Sequence, residues 1–544
     1  MTSNETAPAL RRRLPELFVL VLAAVVAVVV ASLSLTGGRS PRFWDYLGSR
    51  DVTSQYTSEL PPSRYLLEPV AGVTFAWAGK GIDWWPTLLL SFAVARGLAW
   101  GVGRWLAPSS PRWRAFLNVL DDSVGFAGKW LAVATVATFG VLALSLWVGG
   151  FLFVSNVVFR VAITVVTFGA LVLPGRFAYD VATAWRPRGK KFWGGERGAR
   201  AGAPLRPRAR AAKEARNVLV AFLFVACLNA APLQLLLPTQ RIVPATELAD
   251  DEVLLDFHVH TDRSDGWLSP EERVEWYRAQ GIDGAAFSDH QNVFGAKRAA
   301  EYVARKGYNF VVIPAVEYTS FDPDVHLNFY GLSEPVTPTG VPRVDALAEW
   351  APNRLNVSDA IAFVKANGGF VTVNHYTAAP GHPFTYEQLR DWGVDGFEIV
   401  NGGDLQPASI RQFCLDNGLA CVGGSDIHVN SELDTFVRLR LDEPNNRSVA
   451  AIFAALRRNE HQVVGVSLRT SKLHLPDWVG KFDDVESLAK YLHNLDAWQL
   501  ASWLAWTAGT AALALVAIRV ARRKPVPADV ATGVVDVAVE AAAL

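Results

Sequence analysis

Residues 254–260, LLDFHVH, close an apolar run on two histidines in alternate positions, with Asp265 a short step beyond. Successive side chains on a strand point to opposite faces, so residues i and i+2 share one face. His258 and His260 would then present two imidazoles side by side, a ready pair of metal ligands. An isolated His-x-His has a competing reading as two surface histidines at a strand end, and the motif alone does not choose between them. The rest of the chain chooses. All ten histidines lie after residue 257. Imidazoles and carboxylates recur with strand-like runs: GAAFSDH (His290), VVIPAVE (Glu317), HLNFYGL (His326), FVTVNH (His375) and ACVGGSDIH (Asp426, His428).

Outward from this stretch the texture is that of an α/β domain. Strand-like runs at 253–257, 284–288, 309–316, 370–374, 395–400 and 420–424 alternate with helical ones, the pattern of parallel strands joined by crossover helices. Ser269-Pro270-Glu271-Glu272 opens a helix as a capping box with Pro at the first helical position, and Gly281 closes it. Thr385 and Gln388 repeat the box. A helix over Ser448–Arg458 and a last strand over Gln462–Val466 complete the domain. The candidate ligands follow strand C-termini, where β/α barrels build their sites.

HVHTDRSDG, SDH, the strand-end Glu317, HLN, NH and GSDIH together resemble the polymerase and histidinol phosphatase family, the PHP domain. The resemblance covers about Leu254 to Val466, and it implies a distorted (β/α)7 barrel holding two to three divalent ions. By that resemblance His258, His260, Glu317 and Asp426 would hold one ion. Glu317, as a bridge, with His326 and His375 would hold a second. Asp265, His290 and His428 would hold a third, with Asp265 standing where some relatives have His. Imidazoles and carboxylates together suit Zn, Mn or Fe. Closely spaced ions acidify a shared water to a pKa of about 7 and neutralise charge on phosphoryl oxygens. Phosphoester hydrolysis by a metal-bound hydroxide is the natural reaction, with Asp265, His290, Glu317 and His428 nearest to catalysis.

Other residues keep two readings. Arg263 is either a phosphate clamp, since a guanidinium matches phosphate bidentately, or a solvated loop charge. Asp289 reads as a partner that orients a ligand. Glu398 and Asn401 follow a strand and are read as lining the pocket. Lys297 and Arg298 read as surface helix residues. His382, His461, His474 and His493 match no motif and are read as non-ligands.

The flanks differ in kind. Apolar segments at 17–35, 84–102, 130–152, 157–173, 217–237 and 498–520 read as about six membrane helices, an all-α region attached to the barrel. A cleaved signal peptide competes for 17–35. Arg96 lies inside the second segment, as a functional charge or a snorkelling one. The basic stretch 176–216 reads as a cytoplasmic loop in preference to a nucleic-acid patch. On this reading 1–245 is the multi-pass region, 246–470 the metallo-phosphoesterase domain, 471–497 an amphipathic connector and 521–544 a tail. Arg11–Arg13, the loops at 104–129 and 176–216 and the tail after 520 share one side under the positive-inside rule, which places the domain extracytoplasmically at the cell membrane.

The formal net charge is zero, so the total gives no sign of a nucleic-acid partner, and three cysteines are too few for a disulfide framework. Cys414 and Cys421 read as two buried thiols, or as a pair in an oxidising compartment. The expected function is a membrane-anchored, metal-dependent phosphoesterase acting on a phosphorylated small molecule or nucleotide, with the lipid bilayer as its surroundings. The alternative is a metal-containing membrane sensor without turnover. A transporter with an attached lid ranks below both, because the apolar segments carry few polar groups.

Overall fold

The computed structural model describes residues 6–35, 42–77, 237–321, 324–332, 356–377, 383–402, 404–467, 473, 475–476, 479 and 483–523. In chain order the strands are β1 Arg42–Asp45, β2 Arg50–Asp51, β3 Tyr56–Glu59, β4 Arg241–Pro244, β5 Glu252–Val259, β6 Gly284–Phe287 and β7 Val311–Phe321. They continue as β8 Asp324–Tyr330, β9 Phe370–Val373, β10 Gly396–Asn401, β11 Asp404–Leu405, β12 Ala420–Gly424, β13 Thr435–Arg440 and β14 Gln462–Ser467.

Seven of these form a ring. β5, β6 and β7 pair in parallel, β8 runs antiparallel to both β7 and β9, and β9, β10 and β12 are parallel again. The ring closes where Val259 bridges Ile427 and the Asp426 amide donates to the His258 carbonyl. A parallel sheet with one reversed strand is a distorted β/α barrel. The reversal has a local cause: only residues 322 and 323 separate β7 from β8, too few for the crossover that parallel pairing needs. Because β8 is reversed, its N-terminal half lies level with the C-terminal ends of its neighbours, and His326 stands opposite Thr319. Sequence periodicity does not reveal that direction.

Helices between the strands bury one face each. Pro270–Ala279 carries the expected capping box, with the Ser269 hydroxyl accepting from the Glu272 amide, and Tyr386–Asp391 carries its own at Thr385 and Gln388. Val449–Leu456 is capped by Ser448 and seats Phe453 flat on Phe370, ring centroids 4.4 Å apart. β5 is buried from Val253 on: Val253, Leu255 and Phe257 enter one core cluster, Leu254 and Val259 the other. Its register with β6 shifts between Asp256 and Val259, the signature of a bulge that re-aims the residues around it.

The sheet extends across the expected boundary at 246. β13 pairs with β5, β14 with β13, and β1 adds antiparallel to β14, Phe43 opposite Val466. β3 pairs with β4 in a separate two-stranded sheet. Residues 42–59 therefore belong with the barrel, a correction to their assignment to the membrane region. β1, β3 and the turn between β2 and β3 carry Phe43, Tyr56 and Val52 into the core beside Phe436 and Val464, and that burial fixes them there.

Three further helices, Thr6–Leu35, Pro62–Trp77 and Ala497–Arg523, pack beside the helix Asp483–His493. The last of these is the expected connector: Leu492 and Leu495 are buried against Val30, Leu33 and Trp503, while Val485 is exposed. The helix Pro62–Trp77 carries Glu68 and has Pro69 inside it. Among the described residues one helix is long and apolar enough to cross a membrane, Ala497–Val516, and Val19–Leu35 is a shorter apolar helix. The segments expected at 84–102, 130–152 and 157–173, nearly all of 217–237, and the loop 176–216 lie outside the described residues, as do Cys227, His382 and His474. The described residues thus do not support a region of about six membrane helices. Cys414 and Cys421 are both buried free thiols.

Candidate metal centre

Every candidate ligand reaches one mouth of the ring. His258 and His260 end β5, His290 follows β6, His375 follows β9, and Asp426 and His428 follow β12. Glu317 lies within the long β7, and His326 comes from the reversed β8. Asp265 stands on the turn after β5. These nine fall into three overlapping groups whose ligand atoms lie within 4.8 Å of one another: His258, His260, Glu317 and Asp426; Glu317, His326 and His375; and His260, Asp265, His290 and His428.

The two oxygens of Glu317 divide the work. Oε2 faces His258 Nε2 at 3.3 Å and His260 Nε2 at 3.1 Å. Oε1 faces His326 Nδ1 at 3.0 Å and His375 Nε2 at 3.2 Å, and also accepts from the Asn374 amide at 3.0 Å. A carboxylate arranged this way is placed to bridge two cations. The third group gathers on Asp265, whose Oδ2 lies 3.2 Å from His428 Nε2 and 3.4 Å from His290 Nε2. His260 stands in two groups, but its two nitrogens separate them. Nε2 faces Glu317 and Asp426, whereas Nδ1 faces the Ser264 hydroxyl at 3.3 Å and Asp265 at 3.4 Å.

Neighbouring hydrogen bonds fix the tautomers. His258 Nδ1 lies 2.8 Å from Glu398, His428 Nδ1 lies 2.8 Å from the Asp426 carbonyl, and His290 Nδ1 lies 2.7 Å from the Thr319 hydroxyl. The carboxylate and the carbonyl can only accept, so a proton held at Nδ1 of His258 and of His428 leaves each Nε2 lone pair for the centre. His258 Nε2 and His260 Nε2 stand only 3.1 Å apart. Beside them Asp426 Oδ1 lies 3.1 Å from His260 Nε2 and 3.3 Å from His258 Nε2. Imidazole lone pairs and the carboxylates of Glu317 and Asp426 converging in a largely buried site require positive charge between them.

In the metal-free protein protons supply that charge. Burial opposes a charge on His260, but hydrogen bonds to Asp426 and Glu317 outweigh it and push the imidazole up to about 10. For His258 burial is again opposed, by the charges of Asp426, Glu317 and Glu398, and its value rises well above 6.5. Glu317 and Asp426 are held low against burial by His258 and the other imidazoles, and Asp265 by hydrogen bonds from His290 and His428. Replacing such protons by divalent ions satisfies the same geometry, and the nitrogen and oxygen donors fit such ions.

Backbone conformation carries part of the design. Asp426 (φ 49°) and His375 (φ 23°) both occupy the left-handed region, disfavoured for residues with a Cβ. Each is pinned: the Asp426 amide by the His258 carbonyl, the His375 amide by Glu398. Asp289 holds the turn after β5 through the Thr261 amide and hydroxyl at 2.7 Å and the Ser264 hydroxyl at 2.8 Å. Buried Asp256, which sequence reading passed over, accepts from Ser425, Tyr277 and the His258 amide. Its apolar-run position in LLDFHVH gave no cue beyond a carboxylate where a core residue was expected.

Arg263 points elsewhere. Its guanidinium is 46% exposed and lies 3.3 Å from Asp262 rather than on the ligands. Arg298 pairs with Glu271 on the helix Phe294–Lys306, which also carries Lys297. His461 is buried against the Cys421 carbonyl, and His493 bonds the Leu33 carbonyl, so neither enters the centre.

Residues 256–334, which include His258, His260, Asp265, His290, Glu317 and His326, match the PHP domain model. The chain is 31% identical over 85 residues to the protein called 5'-3' exoribonuclease Rnm from Escherichia coli (strain K12). That match covers 16% of this chain and 29% of the relative, so the chain spans under a third of the length of that protein. Among solved structures it is similar to a two-domain protein from Bacteroides vulgatus described as containing a predicted PHP-like metal-dependent phosphoesterase. There the identity is 22%, the TM-score 0.32, and the match covers 39% of this chain and 64% of that one.

Proposed function

We propose that this chain is a metal-dependent phosphoesterase. The observation that carries the proposal is Glu317, buried, with one oxygen toward His258 and His260 and the other toward His326 and His375. Divalent ions bound there supply an acidified water and neutralise charge on phosphoryl oxygens. The chain's own residues do the rest. Glu317, Asp426 and the histidines hold ligand atoms in a fixed, buried array, so little reorganisation is needed when a phosphate arrives. Asp265, 37% exposed, and His428, 34% exposed, form the solvent side of the array and are where a substrate phosphate enters. His290, between them and Glu317, ties the outer group to the inner ones.

A polynucleotide substrate is favoured over a small phosphoester by one observation, the likeness to a protein named as an exoribonuclease. A phosphorylated small molecule or nucleotide remains the reading from sequence. The discriminating experiment uses the whole protein in detergent with Mn2+ or Zn2+ added. It offers an aryl phosphomonoester, an aryl phosphodiester and a short 5'-phosphorylated RNA. Turnover of RNA with release of nucleotides supports the first, and turnover confined to the small esters supports the second. No metal-dependent turnover of any would leave a metal-containing sensor in place of an enzyme.

We further propose that the barrel sits at a membrane, on the extracytoplasmic side. Ser34 bonds the Leu495 carbonyl and His493 the Leu33 carbonyl, so Thr6–Leu35 and Ala497–Arg523 both meet the barrel side by the same end. Their far ends carry Arg11–Arg13 and Arg522–Arg523 in sequence, the side the positive-inside rule makes cytoplasmic. Leu20, Val25, Val28, Trp498, Leu513 and Val516 leave apolar surface exposed on these helices. An impermeant thiol reagent applied to intact cells should label a cysteine engineered at Asn445. Labelling only after lysis would reverse the orientation.

A further inference from the structure

Glu398 lies on β10 with 1% of its surface exposed, and its two oxygens serve ligands of two different groups. Oε1 is 2.8 Å from His258 Nδ1, and Oε2 accepts from the His375 amide at 2.8 Å and from the Asn401 side chain at 2.9 Å. We propose that Glu398 is a positioning residue for the metal centre, locking His258 and His375 into one rigid unit, and not a residue that lines the substrate pocket. The inference rests on the metal-centre reading above.

Three features converge on it. First, the carboxylate acceptor keeps the His258 proton on Nδ1 and strengthens Nε2 as a donor to a cation. Second, His375 has φ 23°, a left-handed conformation that persists only where its surroundings enforce it. The Glu398 bond to that residue's own amide is such an enforcement. Third, the pairing of β10 with β12 shifts register between Glu398 and Val400, a bulge that turns Glu398 toward β5. The neighbouring strand has given way to admit it. A Cβ on Gly424 would stand 2.4 Å from the His258 Cβ and 2.7 Å from Glu398 Oε1, so only glycine leaves room for the pair. With both oxygens engaged and the side chain buried, nothing of Glu398 is left to touch substrate.

The test titrates the whole metal-stripped protein with Co2+, reading the visible d–d absorption, alongside the metal-free melting temperature. Glu398→Gln keeps an acceptor for His258 but turns an NH2 group toward the His375 amide and the Asn401 amide. We expect it to lower Co2+ affinity by about 10- to 100-fold and to alter the spectrum, as loss of such an outer partner does. Gly424→Ala, with Glu398 untouched, should give the same loss, and the double variant should lose no more than the worse single one. Affinity and spectrum equal to wild type in folded Glu398→Gln would overturn the role while leaving the centre standing. A melting temperature that falls with affinity and spectrum unchanged would overturn it too, as a purely structural contribution. Should Glu398→Gln not fold, Gly424→Ala decides on the same readout. Wild type that takes up no Co2+ would overturn the centre itself, and with it this role.

Discussion

At the scale of single residues, Glu317 matters most, because each of its oxygens answers to different histidines. Glu317→Ala should therefore empty two ligand groups, whereas Asp265→Ala should affect only the outer one. Counting ions per chain by mass spectrometry checks this, and equal losses from both changes would refute the bridging assignment. The protonation of His260 sets a pH dependence whose sign can be worked out. Its folded value, about 10, lies above 6.5. In the metal-free protein its contribution to stability is thus full below about pH 6.5 and lost as pH rises through about 10. An ion must displace those protons, so binding weakens as pH falls. Adding Mn2+ should raise the melting temperature more at pH 9 than at pH 6. An equal rise at both would show that His260 gives up no proton to the ion.

Elements decide which residues the sequence could place. β5, β6, β9 and β12 were legible from apolar runs ending in ligands, β10 from its apolar run alone, and both capping boxes from their spacing. The direction of β8 was not, since periodicity is blind to strand polarity; the short Asp322-Pro323 break between two apolar runs was the available signal. Nor was the inward turn of Glu398, which depends on a bulge, nor the return of β1 to the edge of β14, which depends on burial of Phe43 far along the chain. The helix Val449–Leu456 shows how element packing carries stability. Phe453 is 5% exposed and lies against Phe370, Tyr330 and Phe257 beneath the ring. Phe453→Ala should destabilise the protein by about 3–5 kcal/mol, transfer and cavity together. Chemical denaturation of the metal-free protein measures it, and a loss under about 1 kcal/mol would mean the pocket refills.

Across the whole molecule the barrel and the helices are joined by buried charge. Arg64, 2% exposed, bonds Glu68 at 2.9 Å within its own helix and Glu432 at 2.8 Å in the barrel, four residues beyond His428. Tyr491 and Gln499 add bonds to Glu68 from the two C-terminal helices. Arg64→Met would leave buried Glu68 and partly buried Glu432 without their cation and should cost about 3–5 kcal/mol. Adding Glu432→Leu should recover part of the fall in melting temperature, and no recovery would show that the pair is not coupled. The sequence signalled apolar helices on the flanks and a metal barrel between them, but not this junction, because Arg64 and Glu432 are distant in the chain and each looks like an ordinary surface charge. The account stands or falls on metal-dependent phosphoester hydrolysis at Glu317. Its most direct test strips the whole protein of metal, restores Mn2+, and follows bound ions and aryl phosphodiester turnover together in wild type and Glu317→Gln. The account predicts more than one ion and restored turnover in wild type, and loss of both in the variant. Full turnover by the stripped wild type, or by Glu317→Gln, would contradict it.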